Sequence, residues 1–167
     1  MSATPPLHPE GHVRSLPTRW GPPPRTTVGV PHQQLDGEMD PALHLELLRR
    51  LGALPGVALR PSAVSDESTG LVLADDLPLP DPRLATWRGR REFAQVHGDG
   101  SLHVVLPPRR ARQAIAAGWA ERHPLAEAFG CDGLVLLFVP RSLSELDTVT
   151  RLVCDAYAWW TGVAVLV

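Results

Sequence analysis

Three of the seven histidines lie in one stretch, REFAQVHGDGSLHVVLPPRRARQAIAAGWAERHPL, from Arg91 to Leu125: His97, His103 and His123. Imidazole is the side chain best suited to moving protons near neutral pH, and the commonest ligand for zinc, copper or iron. Three readings of the trio stay open: structural histidines, a proton-transfer site, or a metal site ligated by His97, His103 and His123. Metal-ligand spacing such as His-x-x-x-His is absent, which weighs against the last. Glu92 and Glu121 are the nearby carboxylates. Glu92 either orients a histidine or sits on the open face of a strand. Arg122, beside His123, either holds an anionic or enolate oxygen or joins an exposed ion pair. Trp119 either packs or lines an aromatic pocket.

These groups depend on the elements that carry them. Glu92 to His97 alternates and includes Phe93 and Val96, which predicts a strand. Gly98-Asp99-Gly100-Ser101 predicts a tight turn, with both glycines free to take positive φ. Leu102 to Leu106 is rich in β-formers and completes a hairpin. An even-length loop places His97 and His103 on opposite faces; an odd loop or a bulge places them on one. Pro107-Pro108 opens a helix, where a missing N–H costs little. Ala111, Ala114 and Ile115 give that helix a narrow stripe for close packing on a sheet, and Gly118 ends it. Ala120 to Leu125 leaves as an extended exit, because His123 precedes a proline.

The flanking chain reads as scaffold. Prolines from Pro5 to Pro24 predict a disordered or irregular tail over 1–24. Residues 25–39 form an irregular arm, with His32-Gln33-Gln34, that either lies over the domain or closes one side of its pocket. The domain itself spans 40–162. Asp40-Pro41 starts a helix, Leu43, Leu47, Leu48 and Leu51 mark its face, and Gly52 stops it. Val57 to Arg60 and Leu71 to Ala74 read as strands, with loops at Pro61–Gly70 and Asp75–Pro82. Arg83 to Arg90 is ambiguous, and Arg88, Arg90 and Arg91 read as a solvated face. Leu134 to Val139 is a buried strand. Ser142 with Glu145 makes a capping box for a last helix ending at Gly162. The apolar tail Val163 to Val167 is an added strand or a contact for a protein partner or second copy. Strands thus come in runs. The fold class is α+β: a mainly antiparallel sheet of four or five strands with about three helices on one face.

Composition excludes several functions. All sixteen basic residues are arginine, so lysine Schiff-base, P-loop and pyridoxal chemistry are out. Net charge is −2 with the signs interspersed, which gives no electrostatic case for nucleic acid. There is no Gly-x-Ser-x-Gly elbow and no Gly-x-Gly-x-x-Gly after a strand. Cys131 and Cys154 predict no disulfide and a reducing compartment. No run approaches the roughly 20 apolar residues of a membrane span, and no secretory signal is visible, so a soluble cytoplasmic protein is expected.

The pieces Arg91-Glu92-Phe93, Val96-His97, Ser101-Leu102-His103 and Gly118-Trp119-Ala120-Glu121-Arg122-His123-Pro124-Leu125-Ala126 together resemble the luciferase-like domain. That family holds fungal luciferase and small bacterial proteins of unassigned function. The resemblance covers roughly 40–161, continues through Val139-Pro140-Arg141 and Glu145, and echoes weakly from Arg25 to Asp36. The family pattern has His-x-His on the first strand where this chain has Gln95-x-His97, which puts Gln95 in the pocket. The hairpin loop is also shorter here.

The resemblance implies an oxidation of a hydroxylated pyrone by molecular oxygen without metal or flavin. Such chemistry needs a base, a donor or cation for the enolate, and a dry pocket. His97, His103 or His123 supplies the base and Arg122 the anion partner. The expectation is therefore a cofactor-independent oxygenase acting on an enolisable aromatic or pyrone-like small molecule. The alternatives are a non-catalytic small-molecule-binding or protein-interaction module, and a His-ligated metal enzyme.

Overall fold

The structure, a computed structural model, describes residues 15–81 and 90–165. Residues 1–14 of the tail expected at 1–24, most of the ambiguous Arg83–Arg90 segment and the last two residues lie outside them. The strands are Val57–Pro61 (β1), Thr69–Leu73 (β2), Glu92–Val96 (β3), Leu102–Val105 (β4), Ala120–Arg122 (β5) and Leu134–Leu137 (β6). They form one antiparallel sheet in the order β1-β2-β3-β4-β6-β5. The described helices are Pro41–Gly52 (α1), Pro108–Ala116 (α2) and Leu143–Thr161 (α3). The fold is α+β, with one strand more than expected. The addition is β5, expected only as an extended exit, which pairs along β6 from Ala120↔Leu137 to Arg122↔Val135. A three-residue strand is too short for alternation to reveal it.

Local chemistry explains the helix ends. The Asp40 carboxylate accepts the N–H groups of Ala42 and Leu43 at the start of α1. Gly52 is the last helical residue rather than the stop. A Cβ there would lie 3.1 Å from Leu59 Cδ1, so its smallness lets β1 approach. Ser142 Oγ accepts the Glu145 N–H at the start of α3, and Gly162, at φ +73°, ends it. The apolar face of α3 lies on the sheet. Trp160 donates Nε1–H to Val105 O at 3.2 Å, and Phe93 meets Tyr157 and Trp160 at ring separations of 6.2 and 6.3 Å. Among the described residues no helix is long and apolar enough to cross a membrane.

The other face of the sheet is covered by loops and by the arm. Residues 25–36 double back on themselves: Thr27 N donates to Gln33 O, and Leu35 N to Arg25 O. Gln34 Oε1 accepts the Val139 N–H at 3.1 Å and ties the arm to the end of β6. Residues 15–24 are irregular yet bound to the domain, unlike a free tail. Arg19 N donates to Ala117 O at 2.8 Å, and Trp119 Nε1–H to Pro17 O at 2.6 Å. Prolines deny this segment a ladder, but its carbonyls still accept hydrogen bonds. Residues 163–165 add no strand.

Candidate active site

The hairpin loop decides the site. His97 N donates to Ser101 O, and Gly100, at φ +90°, turns the chain between them. The loop is therefore three residues, an odd number, and Gly98 does not share the positive φ of Gly100. Gln95 then pairs with His103, and His97 falls on the same face as both. The register continues across the sheet through Gly70↔Gln95, His103↔Leu136 and Glu121↔Leu136. Gly70, Gln95, His103, Leu136 and Glu121 thus form one row on the face away from α3. His32 descends from the arm onto this row and bridges His103 and Glu121 over Leu136. Its Nδ1 lies 3.2 Å from His103 Nε2, and its Nε2 lies 2.5 Å from Glu121 Oε1.

Behind His103 stands a second layer. His97 Nε2 is 3.1 Å from His103 Nδ1, and Gln95 Nε2 is 3.3 Å from the same nitrogen. His97 Nδ1 is 3.1 Å from Ser101 Oγ, which donates to Asp99 Oδ1 at 2.7 Å. His123 completes the cluster: its ring centroid is 4.8 Å from that of His103 and 5.1 Å from that of His32. A cavity of about 450 Å³ opens beside them, lined by Gln95, His103, His123, Glu92, Phe129 and Leu134 among others. That volume suits a small organic ligand.

A register shift between Leu71 and Val72 re-aims β3. It lets Phe93 meet α3 while the Glu92 carboxylate lies over Gly70, where a Cβ would come within 2.7 Å of it. Glu92 does not orient a histidine, as one reading had it. Its oxygens accept Ser62 Oγ–H at 2.6 Å and Ala63 N–H at 2.8 Å.

Two other expectations are corrected. Arg122 follows Glu121 on β5, so alternation turns it to the opposite face, where its guanidinium meets Asp132 at 3.0 Å. Trp119 is buried by the proline-rich segment through its bond to Pro17 and does not line the cavity. Sequence reasoning named Glu121 only as a nearby carboxylate and His32 only within the arm, and assigned neither to the site. The available signals were a polar His-Gln-Gln inside an otherwise β-like arm, and a glutamate two residues before His123.

Burial favours the neutral form of His97, His103 and His123. Desolvation, reinforced by neighbouring imidazoles, holds His103 down at about 2 and His123 at about 4; burial also lowers His97. The unfolded value is 6.5. Below that pH the unfolded chain binds protons that the folded chain refuses. Stability is therefore complete above pH 6.5 and is lost on acidification, by about 1.4 kcal/mol per pH unit for each such histidine. Between pH 7.5 and 5.5 we expect urea denaturation to show a loss of about 2–4 kcal/mol. A flat profile would mean that these rings are not neutral in the fold.

The nitrogens that approach a common point, among the described residues, belong to His32, His103 and His123, all within 4.8 Å. The trio of the alternative metal reading is thus corrected: the arm contributes His32 where that reading had His97. His97 stands behind His103 because the hairpin places it one step along the same face. The donors suit hydrogen bonding better than ligation. His123 Nδ1 accepts the Leu125 N–H at 3.0 Å, so its neutral ring keeps a proton on Nε2 and turns an N–H, not a lone pair, outward.

The family model of the Luciferase domain matches residues 90–156. The chain is 29% identical over 166 residues to proteins named luciferase from Armillaria gallica and from Armillaria ostoyae, covering 88% of this chain and 62% of each of them. A luciferase from Neonothopanus nambi is 28% identical over 103 residues, 55% of this chain and 38% of that protein. The chain thus spans less than two thirds of the curated relatives it matches most extensively. No solved structure matches it. The matched segment runs from the start of β3 through most of α3 and so carries His97, His103, Glu121 and His123 together; over this segment the chain is similar to the luciferase-like domain family.

Proposed function

We propose that this chain is a cofactor-independent, oxygen-using enzyme that binds an enolisable aromatic or pyrone-like molecule in the cavity beside His103 and His123. The observation that carries the reading is the convergence of four buried or half-buried imidazoles, two of which, His103 and His123, line that cavity. Neutral imidazole is the form that accepts a proton, and His103 is the member of the hydrogen-bonded chain that lines the cavity. The enolate oxygen left behind needs a donor. Arg122 points elsewhere, and the His123 Nε2–H takes that role, fixed by the Leu125 N–H at Nδ1. Val30, Phe129 and Leu134 keep the cavity partly apolar, which suits dioxygen and strengthens the hydrogen bonds within it. Dioxygen then adds to the enolate carbon, and the enolate supplies the electrons of the new bond.

The test is oxygen consumption by the purified, metal-stripped protein with hydroxypyrone-type enols. Uptake stoichiometric with substrate loss is the expected result. Tight retention of the enol without oxygen uptake would replace the enzyme with a non-catalytic binding module on the same cavity.

A further inference from the structure

Six polar side chains run in single file: Asp99, Ser101, His97, His103, His32 and Glu121. A contact between neighbours holds at most one proton, so the positions can be worked out from the Asp99 end. Ser101 gives both its N–H and its Oγ–H to the Asp99 carboxylate, at 2.8 and 2.7 Å. Its oxygen can then only accept, so His97 is protonated at Nδ1. The lone pair on His97 Nε2 requires a proton on His103 Nδ1. Gln95 agrees once its amide oxygen faces His103 and its NH2 faces Ser62 Oγ, whose own proton goes to Glu92. This leaves the lone pair of His103 Nε2 aimed at His32 Nδ1, 3.2 Å away. On the far side, His32 Nε2 donates to Glu121.

With all rings neutral, the contact between His32 Nδ1 and His103 Nε2 is therefore two lone pairs facing each other. It is the one vacancy in the file, and one added proton fills it. We propose that His32 Nδ1 and His103 Nε2 act together as a single shared base for an acidic enol. In this arrangement Glu121 balances the captured charge, and the Asp99–Ser101–His97 run fixes the receiving lone pair. The assignment rests on the oxygenase reading for its substrate class and adds to that reading His32, Glu121, Ser101 and Asp99.

In the step, the substrate O–H bond breaks and its electron pair stays on the enolate oxygen. The proton forms an N–H bond within the His32–His103 contact. The carboxylate that faces the captured charge is Glu121, in contact with His32 Nε2. The same proton is then available to return to the oxygenated product. His103 lines the cavity, whereas His32 and Glu121 act through it.

The test is long-range nitrogen–proton NMR on histidine-labelled full-length protein, with elemental analysis of the same sample. His97 and His103 are expected to be protonated at Nδ1, the minor form of free histidine. Ser101→Ala frees the hydroxyl clamp and is expected to return both rings to Nε2–H. Glu121→Gln keeps an acceptor but removes the charge, and kcat is expected to fall roughly tenfold or more with KM unchanged. Nε2–H rings in the unaltered protein would overturn the proposal, as would a stoichiometric metal ion or an unchanged kcat in Glu121→Gln. The ring protonation is read without substrate. The file can therefore stand where oxygen uptake is absent, or fail where uptake is present.

Discussion

Gly133→Ala is expected to unfold the chain or to lower its stability by about 4 kcal/mol or more. The reason is backbone, not side chain. A Cβ at this position would lie 1.8 Å from Leu106 O and 3.0 Å from Leu106 C, while Leu106 N donates to Gly133 O at 2.9 Å. No rotamer relieves a clash with a carbonyl that is itself held in place. The strain would fall where β4 and β6 join, just beyond Val105↔Leu134, so it would also disturb the cavity wall. Gly98→Ala is the control. Nothing lies within 4 Å of a Cβ there, and its φ is not positive, so stability should hold or rise by a few tenths of a kcal/mol. Thermal and urea unfolding of the two variants decide the matter. A Gly133→Ala protein as stable as the parent would mean that β4 and β6 do not meet as described.

The glycines show how far the sequence could be read. Nothing in the sequence sets Gly133 apart from the other glycines, because its constraint comes from Leu106, far away in the chain. The elements themselves were legible: the Asp40 and Ser142 caps, the α3 stripe and the hairpin all form where the residue pattern places them. What the pattern left open was the parity of the loop after His97, and that parity fixes the face of every group in the site. The three-residue loop puts His97, His103 and Gln95 together. The same logic separates Glu121 from Arg122 on β5, where adjacency in sequence had made Arg122 the attractive anion partner. His32 was less legible still. It reaches the site from an arm without regular structure, and no periodicity predicts where such a segment lands. The resemblance to the luciferase-like domain pointed to the hairpin and to the His123 segment, and only weakly to the arm.

His103→Ala is expected to lower kcat/KM for an enol substrate by roughly 10²–10⁴-fold, the range for losing a positioned base. His97→Ala should also lower it, by less, because it removes only the group that sets the proton on His103 Nδ1. Arg122→Ala should leave turnover near that of the parent, since Arg122 pairs with Asp132 on the other face. This contrast is informative because stability and catalysis separate in it. Removing His103 orphans His97 Nε2 and Gln95, at a cost of about 1–3 kcal/mol for each group left unpaired in a buried site. His103→Gln, which keeps some of those bonds without a titrating ring, guards against mistaking a loosened fold for a lost base. A folded His103→Gln protein that still consumes oxygen at the parental rate would remove His103 from the chemistry. A folded His103→Gln protein that binds the enol but leaves it unoxidised would place the proton transfer on that ring. Oxygen uptake measured beside enol binding separates the two, because a merely structural histidine would weaken both together.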